Sequence, residues 1–288
     1  MNRLFPLLSL TAALLLAADA QQAQPGSLPG SLPGAAAAGN NQILALPTGP
    51  ENPYCKPQMC ARGRRHVACE KYTTPYHRSC LTAEPKMVNL TVHADLILRL
   101  HNEQRQRVAS GKNSSLPRSA RMVVMQWSEE LATLAGYNAR MCQAKHDDCR
   151  NTQNFTRSGQ NIIVFNMTHR VEDELLERLY PELLGIGVRT WWGEHANMTA
   201  ADMEHYPCDP KRQQLHRHFA VMAMESNSHV GCAGDRYVTK GLTHFKLTCN
   251  YARDPVCGQP IYRIRTEGCL TGRNKQYPAL CSTNEVFT

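Results

Sequence analysis

Twelve cysteines lie downstream of an apolar leader in a chain of 288 residues, and together they constrain the fold more than any other feature. In an exported chain an even number of cysteines pairs internally, so the backbone must bring them together in twos. Arg3 precedes the apolar run Leu4 to Ala18, and Ala18-Asp19-Ala20 places small residues on both sides of a cleavage point. That pattern predicts a signal peptide over residues 1–20, cut after Ala20, and a secreted, extracellular product. The leader is too short to anchor the chain, and no later segment approaches transmembrane length. Five glycosylation sequons, at Asn89, Asn113, Asn154, Asn166 and Asn197, agree with export. Full pairing leaves no thiolate to act as a nucleophile or metal ligand.

With 42% hydrophobic and 19% charged residues the chain can build a core. Lys and Arg exceed Asp and Glu by 32 − 24 = 8, but the basic residues are scattered and do not suit nucleic acid. Residues 21–50, with the tandem Gly26-Ser-Leu-Pro-Gly30-Ser-Leu-Pro-Gly34 and the run Ala35 to Ala38, read as a disordered linker. Residues 51–90 hold Cys55, Cys60, Cys69 and Cys80 with almost no apolar periodicity, so disulfides must order them. In that stretch Arg62, Arg64 and Arg65 could contact an anionic surface such as heparan sulfate or phospholipid; a solvated basic loop is the plainer reading.

Helical periodicity begins at Val92, with Leu96, Ile97 and Leu100 inward, Arg99, Glu103, Arg105 and Arg107 on other faces, and Gly111 as the stop. Ser128 caps a second helix whose buried stripe is Leu131, Leu134, Ala135, Ala139 and Cys142. Gln160 to Phe165 reads as a buried strand. A third helix covers Val171 to Glu194, with acidic residues in its first turns, a break or kink at Pro181 and Trp191-Trp192 packed in the core. A fourth spans Lys211 to Met224, and strands follow at Val230–Ala233 and Phe245–Tyr251. His205 and His216 are expected to face solvent. Helices over a small sheet make the fold α+β or a layered α/β/α domain.

The order and spacing of several segments resemble one family. They are Tyr54-Cys-Lys, His66-Val-Ala-Cys69, Leu100-His-Asn-Glu-Gln-Arg105, Trp127-Ser-Glu-Glu-Leu-Ala, Gly159-Gln-Asn-Ile, Trp192-Gly-Glu194, His218-Phe, Val230-Gly-Cys232 and Cys249-Asn-Tyr251. From Tyr54 to Cys281 the chain resembles the CAP superfamily (cysteine-rich secretory proteins, antigen 5, pathogenesis-related 1), and most closely its insect venom-allergen, antigen 5-related branch. The resemblance implies a CAP-type α/β/α sandwich with a disulfide-stapled N-terminal lobe (51–90), a core (91–252) and a short disulfide-bonded C-terminal extension (253–288). It also implies the pairs Cys55–Cys69, Cys60–Cys149, Cys80–Cys142, Cys232–Cys249 and Cys269–Cys281. Cys208 and Cys257, which it does not place, are left for each other. The cysteine-rich channel-regulating lobe of vertebrate relatives is missing after Tyr251.

The same resemblance places a cleft at His146, Glu194 and His218, where relatives gather two histidines and two acids and several hold a divalent metal. The second acid would stand at position 160, which is Gln160. An amide can accept a hydrogen bond but cannot act as a general base or lend a metal charge. No cofactor is therefore required. A weakly held zinc ion on His146 and His218, with Glu194 beside them, is the metal reading, and a glutamate at 160 should tighten it. Ala220-Val221 stand in place of a polar pair of the family and Met224 in place of its Trp, which should make the cleft wall more apolar. No His-Glu-x-x-His, Gly-x-Ser-x-Gly or phosphate-binding glycine loop occurs. The expected function is a secreted, non-enzymatic protein that binds an extracellular protein or small lipid, with a seminal-fluid role in sperm storage or the post-mating response as the first setting. The alternatives are a metal-dependent hydrolase or protease, and a salivary or venom allergen-type protein.

Overall fold

A hairpin near the C-terminus sets the frame. Strands β4 (His229–Thr239) and β5 (Leu242–Tyr251) pair antiparallel across Lys240-Gly241, both with positive φ (52° and 75°), which suits a tight two-residue turn. The computed structural model describes residues 52–69, 76–80, 82–112, 116–264 and 267–287. The expected leader, its cleavage after Ala20, the linker over 21–50 and the sequon at Asn113 lie outside them. Strands β1 (Lys86–Val88) and β3 (Gly159–Asn166) flank the hairpin in the order β1-β4-β5-β3, and the two-residue β2 (Gln126–Trp127) runs parallel to β4.

Strand alternation divides the sheet into two unlike faces. Val230 and Cys232 of β4, with Phe245, Leu247, Cys249 and Tyr251 of β5, join the main core. There they meet α1 (Ala94–Ser110), α3 (Asp173–Gly193) and α6 (Arg217–Ala223) through Ile97, Leu184, Val188, Trp191 and Phe219. The opposite face receives α2 (Glu129–Ala139). At Gly231 a Cβ would lie 2.2 Å from the Ala132 nitrogen, so only glycine lets α2 lie this close to the strand. That second face is polar. Lys246 donates to the Asn138 carbonyl at 2.7 Å, Asn250 to the Leu131 carbonyl at 3.2 Å, and Asp235 is fully buried opposite Lys246 in the register. Burial pushes Asp235 up to about 8 and Lys246 down to about 7. The short α4 (Ala200–Glu204) and α5 (Pro210–Gln213) complete the fold, an α/β/α sandwich of the α+β class, as the resemblance implies.

Six disulfides staple it: Cys55–Cys69, Cys60–Cys149, Cys80–Cys142, Cys208–Cys257, Cys232–Cys249 and Cys269–Cys281. Two of them tie the N-terminal lobe to the loop after α2. No described cysteine is free, and no described helix is long and apolar enough to cross a membrane.

Several expectations need correction. Val92 precedes the first helix in a 3-10 turn and is 72% exposed, so it is no part of the core stripe. Arg105, expected on an outer face, is fully buried and donates to the carbonyls of Val123, Met222 and Met224 at 2.7–2.8 Å. The third helix continues through Pro181 without interruption; Pro181 and Glu177 are both exposed, so water can serve the carbonyl that proline leaves unpaired. The fourth helix splits into α5 and α6 because His216, at φ −151°, leaves helical geometry. His216 is also fully buried, beside Tyr206, whereas His205 is exposed. Ala220, Val221 and Met224 lie in the main core and do not wall a cleft.

Candidate functional site

The cleft residues come from four places at one end of the sheet. Ser128 caps α2 by accepting from the Leu131 N–H, and the loop beyond the helix, pinned by Cys142 and Cys149, carries His146 and Asp147. Gln160 stands at the start of β3, opposite Asn250 in the register. Glu194 opens the 3-10 turn after α3, and His218 sits in the first turn of α6.

These residues form two hydrogen-bonded pairs. His146 Nδ1 lies 2.7 Å from Gln160 Oε1, and Gln160 Nε2 donates to Asp147 Oδ2 at 2.7 Å and to Asn250 Oδ1 at 2.9 Å. A carboxylate can only accept, so the Gln160 amide nitrogen faces Asp147 and its oxygen faces His146. The His146 proton therefore sits on Nδ1, and Nε2 carries the lone pair. On the other side His218 Nδ1 meets Glu194 Oε1 at 2.6 Å, which assigns that ring the same tautomer. Glu194 Oε2 also accepts from the backbone N–H groups of His218 (2.9 Å) and Phe219 (3.3 Å). His218 stacks beside the buried Trp191.

Loss of water holds the His146 pKa below its ordinary value even though one side of the residue is exposed. The Gln160 bond opposes that shift, while Arg150, Arg217 and His218 reinforce it. Asp147 is held further by Arg150 Nε at 2.7 Å and Asn138 Nδ2 at 2.9 Å, and Arg217 pairs with Asp254 at 2.9 Å. Sequence reasoning missed Asp147, Arg150, Asn250 and the Arg217–Asp254 pair. Asp147 stands next to His146 in the chain, but only the fold shows that it faces position 160.

His146, His218 and Glu194 do not converge as three metal ligands. Among the described residues only Cys80, Cys142 and Asp235 place three ligand-type atoms within 4.8 Å of one another, and those sulfurs are bonded to each other. Glu194 is an acceptor that orients His218. The donors left for a cation in the cleft are the Nε2 atoms of His146 and His218, and imidazole nitrogen suits zinc with water filling the shell. The other expected residues lie on the surface: Arg62, Arg64 and Arg65 at and just after the turn at Gly63, and the sequons Asn89, Asn154, Asn166 and Asn197.

Comparison with known proteins agrees with this architecture. Venom allergen-1 of Aedes aegypti is 34% identical over 81% of this chain and 88% of that protein. The antigen 5 like allergen of Culicoides nubeculosus is 31% identical over 62% of this chain and 81% of its own length. The solved structure of BmVAL-1 superposes with a TM-score of 0.53 at 22% identity, over 66% of this chain and 93% of that one, and so shares the fold. Residues 98–251 match the cysteine-rich secretory protein family, CAP, and this chain belongs to it.

Proposed function

We propose that the chain is a secreted, non-enzymatic binding protein that acts on an extracellular protein or a small lipid. Six disulfides suit the oxidising secretory route. The observation that carries the non-enzymatic reading is the state of the cleft carboxylates. Asp147 accepts from Arg150, Asn138 and Gln160, Glu194 from His218 and two backbone N–H groups, and Asp254 from Arg217. Metal-assisted hydrolysis needs a base beside the metal-bound water, and each of these acids is already engaged.

Zinc binds weakly in this reading, through Nε2 of His146 and His218, where protons compete for the same lone pairs. The names of the relatives speak of venom and allergens, which favours a salivary or venom-type secretion over a seminal-fluid one. Turnover of a broad peptide and ester panel with zinc added tests the reading. No turnover is expected; activity that disappears in His146→Ala would overturn it.

A further inference from the structure

A pocket of about 400 Å³ opens between the C-terminal halves of α1 and α3 and shares no lining residue with the histidine cleft. Gln104, Arg107 and Lys112 line it from the α1 side; Arg189, Trp192 and His195 line it from the α3 side. Phe219 lies between the two sites: its ring centre is 5.0 Å from that of Trp192 and 6.0 Å from that of His195, while its N–H reaches Glu194. Among the described residues, three full positive charges and no carboxylate line the pocket. Arg189 has a counter-ion in Glu182 at 3.2 Å, but the two side chains are 54% and 67% exposed, so water screens the pair.

The helix dipole explains part of this arrangement. Arg107 in the last turn of α1 and Lys112 just past the Gly111 cap face the negative helix end. Arg189 stands a turn before the end of α3, outside that last-turn effect, and the dipole does not call for a concave surface. Like charges around a concavity concentrate positive potential inside it, and an anion relieves their repulsion. Arginine forks match oxygens set at tetrahedral angles, and the volume falls in the range of small-molecule sites.

We propose that this pocket binds a small molecule bearing a phosphate or sulfate ester, gripped by Arg107, Lys112 and Arg189. The test is calorimetry on the mature secreted protein at low salt, using a trisulfated heparin disaccharide, its unsulfated counterpart and glycerol 3-phosphate. The sulfated sugar, the phosphate or both should bind and the unsulfated sugar should not; which one binds identifies the source of the ester. Arg107→Gln with Arg189→Gln should weaken binding roughly tenfold or more, the scale of one charge-assisted hydrogen bond. Arg62→Gln with Arg64→Gln and Arg65→Gln should leave it unchanged. No binding of either ester, equal binding of the unsulfated sugar, undiminished binding by the double variant, or loss in the loop variant would overturn the proposal.

Discussion

Changing Gln160 to glutamate keeps the shape of the side chain and reverses the role of one atom. Gln160 Nε2 donates to Asp147 Oδ2 at 2.7 Å and to Asn250 Oδ1 at 2.9 Å. A carboxylate oxygen at that point would direct a lone pair at both acceptors. Two ionised carboxylates about 3 Å apart repel by roughly 5 kcal/mol at an effective dielectric of 20. The pair therefore takes up one proton instead. Keeping a carboxyl neutral at pH 7, against an ordinary value near 4.3, costs about 3.7 kcal/mol, which caps the repulsion penalty. The raised pKa exists only in the folded variant, so the folded state binds the extra proton and raising the pH destabilises it. The loss should be about 3–4 kcal/mol at pH 7 and fall to about 1 kcal/mol at pH 5. Urea unfolding with disulfides intact, followed by tryptophan fluorescence on both proteins at both pH values, measures the difference. Equal stabilities at pH 7, or the same loss at both pH values, would refute the donor role of Gln160. By the same reasoning glutamate should not tighten zinc, since the new acid would be neutral.

Other expectations concern groups buried elsewhere. His101 is fully buried between the Ile97 carbonyl and the Tyr251 hydroxyl, and burial pushes it down to about 4. Stability should therefore fall as pH drops from 6.5 toward 4, by about 1.4 kcal/mol per unit, and His101→Gln should flatten that slope in thermal scans. Arg105→Met leaves three carbonyls without their donor and should cost roughly 3–5 kcal/mol in urea unfolding. Arg105→Lys should not rescue it, because an ammonium cannot fork to all three. Glu285 accepts from Arg121, from the N–H groups of Leu270 and Thr271, and from the Thr271 hydroxyl. These bonds outweigh its burial and bring it down to about 2, so its contribution is present above its ordinary value near 4.5 and is lost as pH falls toward 2. At pH 7, Glu285→Gln should speed hydrogen exchange of the Leu270 and Thr271 amides roughly tenfold or more, with little change at Ile97.

Local chemistry made much of the scaffold readable. Ser128 before Glu129-Glu130 marks a helix start, and Gly111 in the left-handed region (φ 73°) marks a helix end. The stripe Leu131, Leu134, Ala135, Ala139 is buried at helical spacing. The hairpin extends beyond the expected Val230–Ala233 and Phe245–Tyr251, and its α2-facing side carries Asp235, Lys246, Thr248 and Asn250, of which only Asp235 lies outside those spans. Those residues look like solvent-facing polar positions until α2 covers them. Arg105 and His216 depart from expectation for the same reason: a polar side chain in a helix pattern reads as exposed unless its tertiary partners are known. In the cleft, His146, His218 and Glu194 could be placed by resemblance. The donor role of Gln160 could not, since it depends on Asp147 and Asn250 arriving from a loop and a distant strand.

What the cleft offers a ligand rests on the two Nε2 lone pairs. Long-range proton–nitrogen NMR on histidine-labelled protein reads the tautomers of His146 and His218 directly, before and during a zinc titration. Both rings should be Nδ1–H near pH 7, and added zinc should shift both Nε2 resonances together, while Gln160→Glu weakens the response. A ring found protonated on Nε2, or zinc that moves neither resonance, would contradict the hydrogen-bonded cleft described above.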